Sequence, residues 1–121
     1  MQNFVIQEHI QKNSCHWDLM LQQENALITW QIPLCPSQWH GKPVPCRKIF
    51  DHRLKYLTYE GPLSQNRGFV KIYAAGNYQI LDSAKNYWRI NLHSDNIRGN
   101  MTLEGVQDDQ WQLCWQGESG E

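Results

Sequence analysis

The sequence predicts an all-β protein built as a barrel or a sandwich, and three observations support this fold class. Apolar and polar residues alternate with a period of two in most apolar segments of the chain. These segments are short, and Gly, Asn, Asp, Ser or Pro separates them, as in tight turns. No segment keeps helical spacing between capping residues over three turns.

The size and composition of the chain favour one folded domain. It has 121 residues, of which 40% are hydrophobic, and it contains six tryptophans. We expect the domain over residues 1–117 and a short tail over 118–121. There is no apolar run of the ~20 residues that a membrane helix needs, and no secretory signal is recognisable. A cytoplasmic protein without a membrane partner is therefore expected, with its cysteines as reduced thiols.

The first part of the chain predicts three strands that turn back on one another. The apolar run at residues 4–6 begins the first strand, and residues 16–21 form the second. Residues 26–32 form the third, after a hairpin turn over 22–25. Four prolines between positions 33 and 45 then exclude regular structure from a loop that runs to Cys46.

The second part of the chain predicts the remaining strands. Residues 47–52 and 54–58 are expected as strands with a kink or turn between them. Turn residues follow at 61–62 and 65–68, and a further turn is expected at Gly76-Asn77. The other strands are segments rich in β-branched and aromatic residues, at 69–73, 78–81, 88–92, 97–103 and 111–115.

The second predicted strand has two potential metal ligands on one face. Successive side chains of a strand alternate, so His16, Asp18 and Met20 share one face. An imidazole and a carboxylate two residues apart are suited to a divalent ion, and His9, at the end of the preceding strand, can complete the set. The alternative is that His16 and Asp18 are the solvated face of a half-buried strand.

The charged residues are distributed unevenly along the chain. Residues 42–71 include seven basic side chains against two acidic ones, whereas residues 95–121 include six acidic side chains against one arginine. The basic region is expected to attract phosphate. The alternative is a solvated edge strand, on which lysines discourage pairing with other chains.

His52 is the candidate for proton transfer within this basic region. In an unbroken strand, its side chain would share a face with Lys48 and Tyr56. A histidine in such surroundings can bind a phosphoryl oxygen or pass a proton to a leaving oxygen. The alternative is a core histidine whose hydrogen bond is satisfied by a backbone carbonyl.

Several stretches follow one another in the order of a known family's motifs, F-V-[IV]-Q-x-H, H-Y-D-[FL]-R-L, W-x-[VI]-P-x-G-P-S, D-H-P-x-x-Y-x-x-F-E-G and G-x-L-x-G-x-W. The corresponding stretches here are Phe4 to His9, His16 to Leu21, Ser37 after Pro33 and Pro36, Asp51 to Gly61, and Leu92 to Leu113. In these motifs the chain resembles the 3′-phosphoesterase domain of bacterial ligase D, the multidomain end-joining DNA ligase. We expect a short stand-alone version of that domain.

The resemblance implies a fold, a cofactor, an activity and a set of partners. The fold is a compact, single-domain antiparallel β-barrel with short connecting loops. The cofactor is a divalent metal, manganese first and zinc as the alternative, bound by His9, His16 and Asp18. The activity is the removal of a 3′-terminal ribonucleotide and then a 3′-phosphate, with His52 and Tyr56 at the scissile phosphate. The partners are DNA or RNA 3′ ends, and ligase or polymerase proteins of end joining.

Two positions depart from the family pattern. Two phosphate-binding arginines of the family fall at Met20 and Val44, which removes bidentate contacts to developing charge. Lys48 and Arg53 are expected to bind phosphate instead, although a lysine is not equivalent to an arginine. The family's arm ahead of the first motif is also expected to be missing. Reduced 3′-end processing is therefore expected, and the alternative is a non-catalytic module that binds a nucleic-acid end or a protein.

Overall fold

The structure is a computed structural model, and it describes residues 2–117. The tail expected over 118–121 lies outside the described residues. The strands are β1 (Gln2–Gln11), β2 (Ser14–Gln23), β3 (Ala26–Ile32), β4 (Val44–His52), β5 (Gly61–Pro62), β6 (Phe69–Ala84), β7 (Tyr87–Ser94), β8 (Arg98–Gln107) and β9 (Gln110–Gly117). Within this range there are two 3₁₀-helices, Pro36–Gln38 and Leu54–Leu57. Over the described range, no helix is long and apolar enough to span a membrane.

The strands close into a barrel through antiparallel pairing. Their order is β1-β2-β3-β4-β9-β8-β7-β6, and β6 pairs with β1 to complete the circle. The short strand β5 pairs with the beginning of β6. The pairings β4–β9 and β1–β6 join strands that are distant along the chain, and the other barrel pairings join consecutive strands. Short turns link these consecutive strands, except β3 and β4, which are joined by a longer loop over residues 33–43. The expected all-β, compact antiparallel barrel is confirmed.

The barrel interior contains one large apolar core, to which β1–β4 and β6–β9 all contribute. Trp30 is fully buried there, and its ring contacts those of Trp88 and Trp111 edge to face, at centroid distances of 5.9 and 5.6 Å. Cys46 also lies in this core, where burial raises the pKa of its thiol to about 12. All four cysteines are free thiols.

The outer face of β1–β3 also buries apolar residues, in a second, smaller cluster. Val5, Met20 and Leu27 form it, on the side of their strands opposite to the barrel interior. Tyr56 and Leu57 of the second 3₁₀-helix pack against this cluster. The chain after β4 therefore crosses the outside of the barrel, and it covers only part of the β1–β3 surface.

The segment 54–58 was expected as a strand, and this prediction is wrong. Residues Leu54–Leu57 form a 3₁₀-helix instead. The reason is a tertiary contact: the buried Gln7 side chain donates hydrogen bonds from Nε2 to the carbonyl oxygens of Tyr56 and Tyr59, at 2.8 and 3.0 Å. These bonds supply partners for the backbone where a neighbouring strand would otherwise be needed.

The turn expected at Gly76-Asn77 is also wrong, because both residues lie inside β6. Gly76 pairs with Phe4 on one side and Ser94 on the other. A Cβ atom at this position would lie 2.1 Å from the carbonyl oxygen of His93. Glycine is therefore required here by the close approach of a neighbouring backbone, and not by a turn.

Candidate metal and phosphate site

His9, His16 and Asp18 converge on the outer face of the β1–β2 hairpin. The register pairs His9 with His16 and Gln7 with Asp18, so the three side chains share a face. His9 Nδ1 is 3.0 Å from His16 Nε2, which is 3.3 Å from Asp18 Oδ1. One ligand atom from each residue lies within 4.8 Å of the other two. Among residues 2–117, this is the one group of three such side chains with metal-binding spacing.

The arrangement suits a divalent ion. Asp18 is only 4% exposed, and its Oδ1 has no hydrogen-bond partner within the described chain. A buried carboxylate oxygen without a partner is unfavourable, and a cation would compensate for it. Two nitrogens bonded to one ion at about 2.1 Å lie roughly 3.0 to 3.4 Å apart. The observed separation of 3.0 Å between the imidazole nitrogens agrees with this range.

The tautomer of His9 follows from its second hydrogen bond. His9 Nε2 lies 2.7 Å from the carbonyl oxygen of Arg67. A carbonyl only accepts, so Nε2 donates its proton and Nδ1 presents a lone pair to the cluster. The carbonyl belongs to the loop between β5 and β6, where Gln65, Asn66 and Gly68 all have positive φ. This turn therefore orients His9 as a ligand.

A pocket of about 500 Å³ opens beside the cluster. Met20 and the three potential ligands line it from β1 and β2, and residues 49–52 line it from the end of β4. Arg53, Lys55 and Arg67 also line it, and all three belong to the basic region 42–71. The positive part of the chain and the potential metal ligands therefore meet in one pocket.

Lys48 lies away from this pocket. It pairs with Trp30, whose ring is in the barrel core, so Lys48 is on the inner side of the sheet. Between Ile49 and His52, β4 then has one residue more than the facing segment of β3. Because of this bulge, Lys48 and His52 do not share a face. Of the two expected phosphate-binding residues, only Arg53 lines the pocket.

His52 lies at the pocket with one ring nitrogen engaged. Its Nδ1 is 3.1 Å from the carbonyl oxygen of Phe50 and donates to it, which leaves Nε2 for other partners. The ring stacks on Phe50 and contacts Tyr56 edge to face, at centroid distances of 5.0 and 5.8 Å. The carbonyl partner was the feature expected of a core histidine. His52, however, is half-buried and lines an open pocket.

The two positions that depart from the family pattern lie in different surroundings. Met20 is 1% exposed and contributes both to the outer apolar cluster and to the pocket lining. Val44 is fully buried in the barrel core, where it pairs with Leu113. An arginine at position 44 would point into the core, so only Met20 bears on the missing guanidinium at this site.

Gln7 is a residue of this site that the sequence analysis missed. It lines the pocket and, through the two hydrogen bonds described above, holds the segment that contains Tyr56 against the barrel. The sequence offers one signal, since Gln7 is a polar residue directly after the apolar run Phe4 to Ile6. Its partners lie 49 and 52 residues further along the chain, so the sequence does not reveal them.

Comparison with known proteins assigns the family. Residues 7–117 match the DNA Ligase D 3′-phosphoesterase domain. The matched range includes every residue of the metal cluster and the pocket. No curated protein matches the chain. The chain belongs to the family of DNA ligase D 3′-phosphoesterase domains, which process 3′ ends in end joining.

Proposed function

We propose that this domain is a metal-dependent 3′-phosphoesterase of reduced activity, acting on 3′-phosphates and 3′-terminal ribonucleotides of DNA or RNA strands. The observation that carries the proposal is the Asp18 oxygen, buried and without a hydrogen-bond partner in the described residues, beside two imidazole nitrogens at a basic pocket. Such a group of acceptor atoms is suited to a cation, and the pocket is suited to a phosphate.

Different residues of the pocket would bind the metal and donate the proton during phosphate hydrolysis. His9, His16 and Asp18 would hold the ion, which when bound polarises a phosphoryl oxygen and offsets the charge that develops on it. Water attacks phosphorus and the bond to the 3′ oxygen breaks. As the general acid, His52 gives a proton from Nε2 to that oxygen, while Nδ1 remains bonded to the Phe50 carbonyl. The products are a 3′-hydroxyl and inorganic phosphate.

Manganese is the metal we propose. Two imidazoles and one carboxylate suit manganese, zinc and iron, so the donor atoms restrict the choice only to this group. A structural zinc site is usually closed and tetrahedral, without space for further ligands. Here the open pocket leaves space for further oxygen ligands beside the carboxylate, and oxygen ligands favour manganese, the harder ion. Metal analysis of the purified protein distinguishes the three.

The direct test of the function is an assay on a primer-template whose primer ends in a 3′-phosphate. With Mn²⁺ we expect conversion to a 3′-hydroxyl end that a DNA polymerase extends, and no conversion with excess EDTA. A primer that already ends in a 3′-hydroxyl controls for the extension step. A primer that stays blocked at every Mn²⁺ concentration, with protein in excess, would exclude the activity.

Binding to strand ends should depend on salt, because the pocket contacts would neutralise phosphates. With three basic residues, Arg53, Lys55 and Arg67, the slope of log K against log salt should be about −2 for a single strand. Arg53→Ala should reduce the magnitude of this slope by about 0.7. Arg89→Ala is the matched control, since Arg89 is exposed on β7 and does not line the pocket. Fluorescence anisotropy measures both, and an unchanged slope in Arg53→Ala would remove Arg53 from the site.

Met20→Arg should raise the rate of 3′-phosphate removal by about tenfold or more. A preorganised donor to a transition state contributes about 10²-fold. The gain here should be smaller, because the new side chain must leave the apolar cluster with Val5 and Leu27 to reach the pocket. Met20→Leu keeps the volume without a guanidinium and should leave the rate unchanged. The rate is measured on the 3′-phosphate primer, at equal metal occupancy.

A second candidate function is a non-catalytic module that binds strand ends. The observation that favours it is Met20 itself, an apolar side chain packed at the floor of a basic pocket. The Met20→Arg variant distinguishes the two candidate functions. A variant that binds the ion and the strand end but still removes no phosphate would favour the binding module.

A further inference from the structure

Phe50 is exposed at the rim of the pocket. Its side chain is 75% exposed, more than any other large hydrophobic residue in the described chain. It lines the same pocket as the potential metal ligands and the three basic residues. Single exposed hydrophobic residues are common on protein surfaces. Phe50 is distinguished from them by its position, because it borders the pocket where the potential metal ligands and the basic side chains meet.

The ring is held in place on one face only. It lies parallel to the imidazole of His52, with an interplanar angle of 1° and a centroid distance of 5.0 Å. The hydrogen bond from His52 Nδ1 to the Phe50 carbonyl links the two residues a second time. The ring therefore packs on His52 on one side, and most of its flat apolar surface remains exposed.

We propose that Phe50 stacks against the base of the 3′-terminal nucleotide of the substrate strand. The inference rests on the proposed function and names the substrate more closely, as a strand end with an intact terminal base. The basic residues of the pocket are suited to binding the 3′-phosphate. In the terminal nucleotide, the base and the 3′-phosphate are attached to the same sugar, so the base would lie close to the bound phosphate. Bases of every kind have a flat aromatic face, so stacking on Phe50 would bind strand ends without selecting a sequence.

The charges around Phe50 favour a nucleotide over an apolar protein segment. The pocket is lined by three basic residues, Arg53, Lys55 and Arg67. Among the described residues, only two acidic ones line it, Asp51 and the proposed metal ligand Asp18. A flat apolar face among cations matches a strand, which offers flat bases joined by phosphates.

The test compares two labelled single strands that end in a non-hydrolysable 3′-phosphonate, one with a normal terminal nucleotide and one with an abasic terminal sugar. With Mn²⁺ present, the unaltered protein should bind the normal strand about tenfold more tightly, by fluorescence anisotropy. Phe50→Ala should bind both strands equally, and Phe50→Trp should keep the preference. Phe69→Ala is the matched control, since Phe69 is 41% exposed but does not line the pocket.

The outcomes separate the inference from the proposed function. Equal binding of the two strands by the unaltered protein would overturn the stacking role and leave the phosphoesterase proposal intact. A Phe50→Ala variant that weakens both strands by one factor and keeps the preference would also overturn it, because Phe50 would then act only by positioning His52. Failure to bind either strand at low salt would overturn the inference, while the assay on the 3′-phosphate primer would decide the proposed function separately.

Discussion

His16→Ala is expected to abolish stoichiometric binding of a divalent ion. His16 Nε2 is the central atom of the cluster, 3.0 Å from His9 Nδ1 and 3.3 Å from Asp18 Oδ1. Without it, two ligand atoms remain, and they are 3.9 Å apart. Loss of a partner that merely orients a ligand already lowers metal affinity about 10- to 100-fold, and loss of a ligand should cost more. Elemental analysis after gel filtration and titration with Mn²⁺ measure the loss.

His93→Ala is the matched control for this experiment. His93 is exposed on β7 and lines neither the pocket nor the metal cluster. Thermal unfolding supplies a second measurement, because an ion that binds only the folded state stabilises it by about 2.7 kcal/mol at a hundredfold excess over Kd. Mn²⁺ should raise the Tm of the unaltered protein and of His93→Ala, but not that of His16→Ala. A fully occupied His16→Ala protein would contradict the assignment of the cluster.

The parts of the structure that could be predicted from the sequence depend on contacts near in the chain. Alternation along β2 is sufficient to put His16 and Asp18 on one face, and Leu19 and Leu21 in the core. A short turn between β1 and β2 is sufficient to bring His9 opposite His16. Family motifs in the same segments then predicted the closed barrel, which periodicity alone did not distinguish from a sandwich.

The parts that could not be predicted depend on contacts distant in the chain. The bulge near the end of β4 separates Lys48 from His52, and nothing in the alternation of residues 47–52 indicates an extra residue there. The 3₁₀-helix Leu54–Leu57 forms where Gln7 supplies hydrogen bonds across 49 residues of sequence. The Gly76-Asn77 pair is typical of a turn, but Gly76 lies inside a strand with neighbouring strands on both sides, one of which approaches too closely for a Cβ atom. In each case a tertiary contact overrides a valid local preference.

The two missing arginines differ in their consequences for the pocket. By position in the sequence, Met20 and Val44 are equivalent departures from the family pattern. By orientation they differ, since Met20 lines the pocket and Val44 is in the barrel core. A guanidinium is therefore missing from the pocket at one position only, and Arg53, Lys55 and Arg67 supply positive charge there. The reduction in activity should accordingly be smaller than the loss of two transition-state donors would cause.

His52→Ala should remove most of the 3′-phosphoesterase activity, by about 10²- to 10⁴-fold in rate, which is the usual contribution of a positioned proton donor. The reason is that His52 Nε2 has no hydrogen-bond partner in the described chain while Nδ1 is bound to the Phe50 carbonyl, so one nitrogen is oriented and the other is available. Single-turnover rates on the 3′-phosphate primer measure the loss.

Three controls decide whether the loss in His52→Ala lies in the chemical step. His52→Ala should retain stoichiometric Mn²⁺, because His52 is not among the three clustered ligands. Tyr56→Phe keeps the aromatic ring that contacts His52 and removes only the hydroxyl, so it should lower the rate less than His52→Ala. A substrate with a better leaving group, such as 4-nitrophenyl phosphate, needs no proton on the leaving oxygen, and His52→Ala should lower its rate far less. Equal losses on both substrates would show that His52 does not protonate the leaving oxygen, and its role would then be to bind the phosphate.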